Sequence, residues 1–331
     1  MFELNFPNPV TNAVDLFDRT FELHEVSRAL ASSARRPVII LGERKVGKTS
    51  LLKGIEAAAQ TPHTLVCRLA EVYTQVELAV EILDRLWASA GRPLRTAPLR
   101  DADGKPQPIT TGAFVALATT LVDDATRRIG DGAEVRFVWM LDDMDGLLRK
   151  AEGERGASRI LVFLLHLVEQ TALPFHFVFT MTHISPSLLG SYASSLVKTA
   201  TLLPLRLWSS DEMDAFLDWL MPAPVVFTAD AREVLFVASG GHPYFTKAVL
   251  FWLFQQLTAA GGWGSKRSEL TVTAADVERA AAAAAASYEI DLTLGNLLVA
   301  GATTDAGAQL EARFSNRIGL IDRWLLNRVI R

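Results

Sequence analysis

The chain has 331 residues, half of them hydrophobic, and a formal net charge of −4. That composition supports a large buried core and excludes a disordered chain. The length suits two domains, or one with a substantial appendage. The acidic balance leaves no basic footprint for holding nucleic acid through bulk charge. A single cysteine, Cys67, excludes a disulfide within the chain and fits a reducing compartment. The first residues, Met-Phe-Glu-Leu-Asn-Phe-Pro, are acidic and broken by proline, unlike a signal peptide. The most apolar stretches, near 160–168 and 248–254, are too short to span a bilayer. A cytoplasmic protein with neither a membrane nor a nucleic-acid partner is the expectation.

In chain order, residues 1–36 hold Phe17-Asp18-Arg19 and then Phe21, Leu23, Val26 and Leu30 at helical spacing. A β-branched run, Val38-Ile39-Ile40, breaks at Gly42, and a helix-compatible run starts at Lys48. Between them lies Gly42-Glu43-Arg44-Lys45-Val46-Gly47-Lys48-Thr49, followed by Ser50, which is G-x-x-x-x-G-K-T in a strand–loop–helix setting. Gly47 lets backbone approach a phosphate without an intervening Cβ. The loop N–H groups and those of the first helical turn, Ser50 included, converge on one anion. Lys48 would reach the β- and γ-phosphates of ATP, and the Thr49 hydroxyl would ligate Mg²⁺. Chance alone would place these four fixed positions in roughly one chain of this length in a hundred.

Further on, 64–69 reads as a strand and 76–88 as a helix. Residues 91–111, rich in Pro and Gly, read as a long exposed loop, and 112–128 as a helix. The run 135–141 is continuously apolar, as in a strand buried on both faces. It ends in Asp142, Asp143 and Asp145. A helix at 160–170, a strand at 175–182 and a short strand at 199–205 complete five strands mostly separated by helices. That pattern implies a parallel sheet covered on both faces. From 207 the pattern turns helical. Ser209 and Glu212 form a capping box before 213–220, and 228–237 follows. Gly240-Gly241-His242-Pro243 opens a helix at 244–257, 261–264 is a turn, and Thr273 caps a helix running into 280–286. The tail, 292–331, carries Arg313, Arg317, Arg323 and Arg328 and reads as a small helical or winged-helix-like unit.

A phosphate-binding loop needs a carboxylate from another strand end. Asp142 is placed to hold Mg²⁺ through water, and Asp143 to polarise an attacking water. A turn after a strand also collects acidic residues, and Asp145 in particular reads as a helix N-cap or a solvated turn residue outside the site. Thr182 either senses the γ-phosphate or simply ends its strand, and His183 is the alternative for that role. His242-Pro243, on its residues alone, is a helix cap with Pro at the first position, and Arg19 a surface charge. No C-x-x-C, H-E-x-x-H or G-x-S-x-G occurs, which leaves zinc sites and hydrolase triads without an anchor.

Four stretches together resemble a known family: Phe17-x-Arg19 before a helix, the 42–52 loop, Met140-Leu141-Asp142-Asp143-Met144-Asp145, and Gly240-Gly241-His242-Pro243-Tyr244. They look like the STAND branch of the AAA+-related P-loop ATPases, which includes AAA-like and NB-ARC members, over roughly residues 15–260. The resemblance implies a five-stranded parallel sheet of order 5-1-4-3-2, with Phe17 and Arg19 along the adenine and ribose. It implies a helical lid in which His242 and Pro243 approach the nucleotide. The domains expected are an N-terminal segment 1–36, an ATPase domain 37–206, a lid 207–289 and a C-terminal unit 290–331. Many relatives carry Asp-Glu where this chain has Asp142-Asp143, and the shorter carboxylate implies slow hydrolysis. No separate effector domain is evident, so the effector is expected to be another protein.

These features support an ATP- and Mg²⁺-binding switch that hydrolyses ATP slowly and regulates partners, with nucleotide-dependent self-association as one output. The alternative is a DNA-associated AAA+ ATPase of the transposition or replication-initiator kind, using the C-terminal arginines. Asp305, Glu311 and Asp322 offset those arginines and favour the switch.

Overall fold

A computed structural model describes residues 16–69, 74–92, 99, 105–129, 135–150, 153–170, 172–182, 191–220, 225–259 and 270–287. The expected C-terminal unit, most of the 91–111 loop, the 261–264 turn and His183 lie outside them. Chain contacts divide the described residues into two units, one of 16–43 with 48–205 and one of 44–47 with 206–287.

The first unit is a sheet covered by helices. Helix α1 (Thr20–Ala31) precedes β1 (Val38–Leu41), α2 (Lys48–Ala59), β2 (Thr64–Leu69), α3 (Gln75–Ser89) and α4 (Thr111–Ile129). Then come β3 (Arg136–Leu141), α5 (Met144–Lys150), α6 (Gly153–Glu169), β4 (Phe175–Met181), α7 (Ser191–Thr199) and β5 (Thr201–Pro204). The five strands are parallel in the order β2-β3-β4-β1-β5, the same arrangement as 5-1-4-3-2 read from the other edge. Burial explains the order: β3 and β4 are buried on both faces and sit inside, whereas β2 and β5 are half-exposed and sit at the edges. Pro204, which has no N–H for a ladder, closes edge strand β5.

Alternate residues of β3 and β4 place Phe137, Trp139, Phe175, Phe177 and Phe179 in one aromatic layer. Leu78 and Ile82 of α3, Phe114 of α4 and Phe163 of α6 belong to the same buried cluster. The Phe114 and Phe163 rings meet edge to face at 5.1 Å. Thr74 and Glu77 cap α3 reciprocally. In the strand register, Leu41 lies beside Met181, Phe179 beside Leu141, and Leu141 beside Leu69. The residues just past β1, β3 and β4 therefore emerge along one edge of the sheet, where open α/β sheets bind ligands.

The second unit holds α8 (Ser210–Leu220), β6 (Val225–Phe227), α9 (Ala229–Ser239), α10 (Pro243–Ala259), β7 (Leu270–Val272) and α11 (Ala274–Ala285). The expected Ser209–Glu212 capping box is present. Strands β6 and β7 pair in parallel, a small sheet that the helical reading of this region did not include. Buried Ala280, Ala281, Ala284 and Ala285 give α11 a flat face for close packing. Among the described residues, no helix is long and apolar enough to cross a membrane.

Candidate functional site

Within the sheet unit the Gly42 N–H donates to the Met181 carbonyl at 3.2 Å, which ties the start of the loop to β4. Lys48 folds back, its Nζ donating to the Gly42 and Glu43 carbonyls at 2.7 and 2.9 Å. Inside the loop Lys45 has φ +64° and Gly47 φ +110°, so two left-handed residues curl the backbone. Thr49 and Ser50 lie in the first turn of α2.

The loop and the strand ends meet at Asp142. The Thr49 hydroxyl donates to Asp142 Oδ2 at 2.8 Å, joining residues 93 positions apart. The Thr180 hydroxyl donates to Asp142 Oδ1 at 2.6 Å, and the Asp143 N–H donates to Thr180 Oγ1 at 2.8 Å. Thr180 is 0% exposed, and its hydroxyl is engaged both as donor and as acceptor. Arg68, at the end of β2, brings Nη2 to 3.6 Å from Asp142 Oδ2. This pair is partly exposed and contributes little by itself. Next to Arg68, burial pushes the Cys67 thiol up to about 11. It is therefore a neutral, weakly nucleophilic group.

The three carboxylates after β3 have three different environments. Asp142 holds the hydroxyls. Asp143 is exposed, has φ +51° and accepts the Gly146 N–H at 3.3 Å, so it covers the start of α5. A Cβ on Gly146 would overlap Asp143 Oδ2, so this carboxylate position depends on a glycine there. Asp145 is 4% exposed and accepts the Thr182 N–H at 2.6 Å. The expectation of a solvated turn residue is corrected: Asp145 is buried because it closes the end of β4 onto the turn after β3. Thr182 thus meets the cluster through its backbone, and the hydroxyl on Asp142 belongs to Thr180.

Two further expected residues lie differently from their reading as simple polar groups. Arg19 is 6% exposed and pairs with Glu22 at 3.1 Å, so it is no surface charge. His242, in the helical unit, is buried beside Pro243, and its Nε2 lies 3.1 Å from the carbonyl oxygen of Arg44 in the loop tip that groups with that unit. Sequence reasoning missed Thr180, Arg68 and Asp145. The usable signals were a hydroxyl inside a largely apolar buried strand, which requires a partner, and a lone charge next to the end of the 64–69 run.

A cation fits here by donor chemistry. The Thr49 hydroxyl and Asp142 carboxylate are hard oxygen donors side by side, the type Mg²⁺ prefers. Among the described residues no group of three or more His, Cys, Asp or Glu converges. Phosphate oxygens and waters would therefore complete its coordination, as is usual for Mg²⁺.

No protein-family model matches the chain, and no curated protein matches it in sequence. Solved structures do match. The ORC2 protein of Aeropyrum pernix in ADPNP-ADP complexes is 15% identical, with a TM-score of 0.57, over 87% of this chain and 73% of that one. The ADP form of the same protein is 15% identical, with a TM-score of 0.54, over 84% and 71%. The Aeropyrum pernix ORC1 protein in complex with DNA is 16% identical at a TM-score of 0.47 over 81% of this chain, which spans only 65% of the length of that protein. The fold is that of a P-loop NTPase, a five-stranded parallel sheet covered by helices.

Proposed function

We propose that the chain is an ATP-binding, Mg²⁺-dependent AAA+-type ATPase that hydrolyses ATP slowly. The observation that carries this reading is the Thr49 hydroxyl at 2.8 Å from Asp142, with Lys48 folded into the same loop. In the proposed site, the N–H groups of 42–50 and the Lys48 ammonium hold the phosphates, and Thr49 and Asp142 hold the metal. When bound, Mg²⁺ neutralises charge on the β- and γ-phosphate oxygens. Asp143 orients and polarises the water that attacks the γ-phosphorus while the bond to the bridging oxygen breaks and ADP departs. Its short side chain holds that water loosely, hence the slow rate. Arg19 and Phe17 belong to the adenine side.

On partners, the fold shared with ORC2 favours the DNA-associated, initiator-type reading over a protein-regulating signalling switch, and it weighs against the expectation that nucleic acid takes no part. The Gly240-Gly241-His242-Pro243-Tyr244 turn is what favours the signalling reading as the second choice. The test has two arms. Phosphate release from ATP is measured for the parental protein. Binding of a labelled duplex DNA is then followed by anisotropy with ADPNP and with ADP at fixed salt. Turnover with DNA binding that depends on nucleotide supports the initiator-type reading. Turnover without DNA binding supports the signalling switch, and no turnover removes the ATPase.

A further inference from the structure

The Gly240-Gly241-His242-Pro243-Tyr244 turn holds part of the phosphate loop by its backbone. Gly240 ends α9 in the left-handed conformation, and Gly241 follows at φ +69°. A Cβ on Gly241 would overlap the Trp208 carbonyl, and the Trp208 N–H donates to the Gly241 carbonyl at 2.8 Å. The turn is thereby fixed before His242. The His242 side chain is 2% exposed and packs on Phe245 with ring centroids 4.7 Å apart. The Tyr244 N–H donates to His242 Nδ1 at 3.2 Å. A ring nitrogen that accepts carries no proton, so the proton of the neutral ring is on Nε2. Nε2–H then donates to the Arg44 carbonyl at 3.1 Å. One residue further along, Lys45 Nζ lies 5.3 Å from the centroid of the Tyr244 ring, at cation–π range.

The carbonyl and N–H of one trans peptide point to opposite sides. Holding the Arg44 carbonyl therefore directs the Lys45 N–H away from His242. Lys45 is also left-handed at φ +64°, a conformation a non-glycine residue keeps only when its surroundings enforce it. In a G-x-x-x-x-G-K-T loop the inward N–H groups are the anion ligands. We infer that His242 is a positioning residue for the phosphate cradle: its Nε2–H fixes the 44–45 peptide so that the Lys45 N–H serves the phosphates, and Tyr244 supports the Lys45 backbone by receiving its side chain. The Gly240–Tyr244 turn thus acts through the 44–45 peptide, without His242 itself touching base or phosphate. This rests on the nucleotide reading above.

Two polar variants separate the two ring nitrogens. His242→Asn retains an acceptor for the Tyr244 N–H and is too short to reach Arg44, whereas His242→Gln places an amide N–H near Nε2. Binding of ADP and of inorganic pyrophosphate to the full chain is measured by calorimetry, with thermal unfolding as the check on folding and Lys48→Ala as the control for the reading itself. The expected result is a loss of about five- to tenfold for both ligands in His242→Asn, the size of one hydrogen bond, and near-parental binding in His242→Gln. Loss for ADP with unchanged pyrophosphate binding overturns the inference, because His242 would then act at the base or ribose. Parental binding in His242→Asn, or equal loss in both variants, also overturns it. Parental binding in Lys48→Ala instead removes the nucleotide reading and leaves the His242 contact as packing.

Discussion

The strand ends of the sheet unit and the Gly240–Tyr244 turn of the helical unit both converge polar groups, but they do so with different chemistry. At the strand ends, two hydroxyls and a guanidinium from three separated segments gather on Asp142: Thr49 from the loop helix, Thr180 from β4 and Arg68 from β2. At the turn, an imidazole, backbone groups and an aromatic ring facing the Lys45 ammonium hold the loop tip. Metal-ligating oxygen belongs to the first region, and control of backbone direction to the second. Substitutions at the strand ends should therefore change chemistry and metal dependence, while those at the turn should change phosphate affinity alone.

The sharpest break between the regions is Lys48→Ala. It removes the ammonium that bonds the Gly42 and Glu43 carbonyls and the cation assigned to the phosphates. Nucleotide affinity should fall on the order of a hundredfold, the range of charge-assisted hydrogen bonds, as read by a labelled ATP analogue. Parental affinity in a folded variant would contradict the loop assignment. Asp143→Asn comes next. Asparagine still accepts the Gly146 N–H, so folding and binding should persist while turnover falls by about a hundredfold, as expected on losing a group that polarises water. Turnover at the parental rate would assign the water to another residue.

Much of the sheet unit was legible because its signals are redundant. The inner strands are largely apolar runs, four residues in β1, six in β3 and seven in β4, and the glycines and threonine of the loop have fixed spacing. Strands β6 and β7 were not legible: Val225–Phe227 and Leu270–Val272 are three residues each, too short for alternation to appear. Helix α5 escaped for the same reason, having seven residues directly after the acidic turn. Within the site, motif spacing identified the residues that face a ligand and missed those that bond to one another. Thr180 and Asp145 matter through partners 38 and 37 positions away, and no local pattern encodes such pairings.

Smaller effects refine the strand-end side. Thr180→Val keeps the shape of a fully buried side chain and removes one donor to Asp142 and one acceptor for the Asp143 N–H. Stability should fall by about 1–3 kcal/mol in a denaturant titration, and the Mg²⁺ requirement for binding should rise. An unchanged midpoint would mean that the hydroxyl bonds are dispensable. The least effect is expected for Asp145→Asn, whose amide oxygen still accepts the Thr182 N–H. Nucleotide affinity should stay within about twofold, because the bond that closes β4 is retained. A loss comparable to that of Lys48→Ala would show that the Asp145 charge itself serves the site.

The most direct measurement of the central claim is ADPNP binding to the parental chain and to Asp142→Ala, each with and without Mg²⁺. The strand-end cluster predicts that Mg²⁺ tightens binding to the parental chain by about tenfold or more, and that Asp142→Ala retains metal-free binding and loses most of this increment. No ADPNP binding by the parental chain, or an equal Mg²⁺ increment in the two proteins, would contradict it.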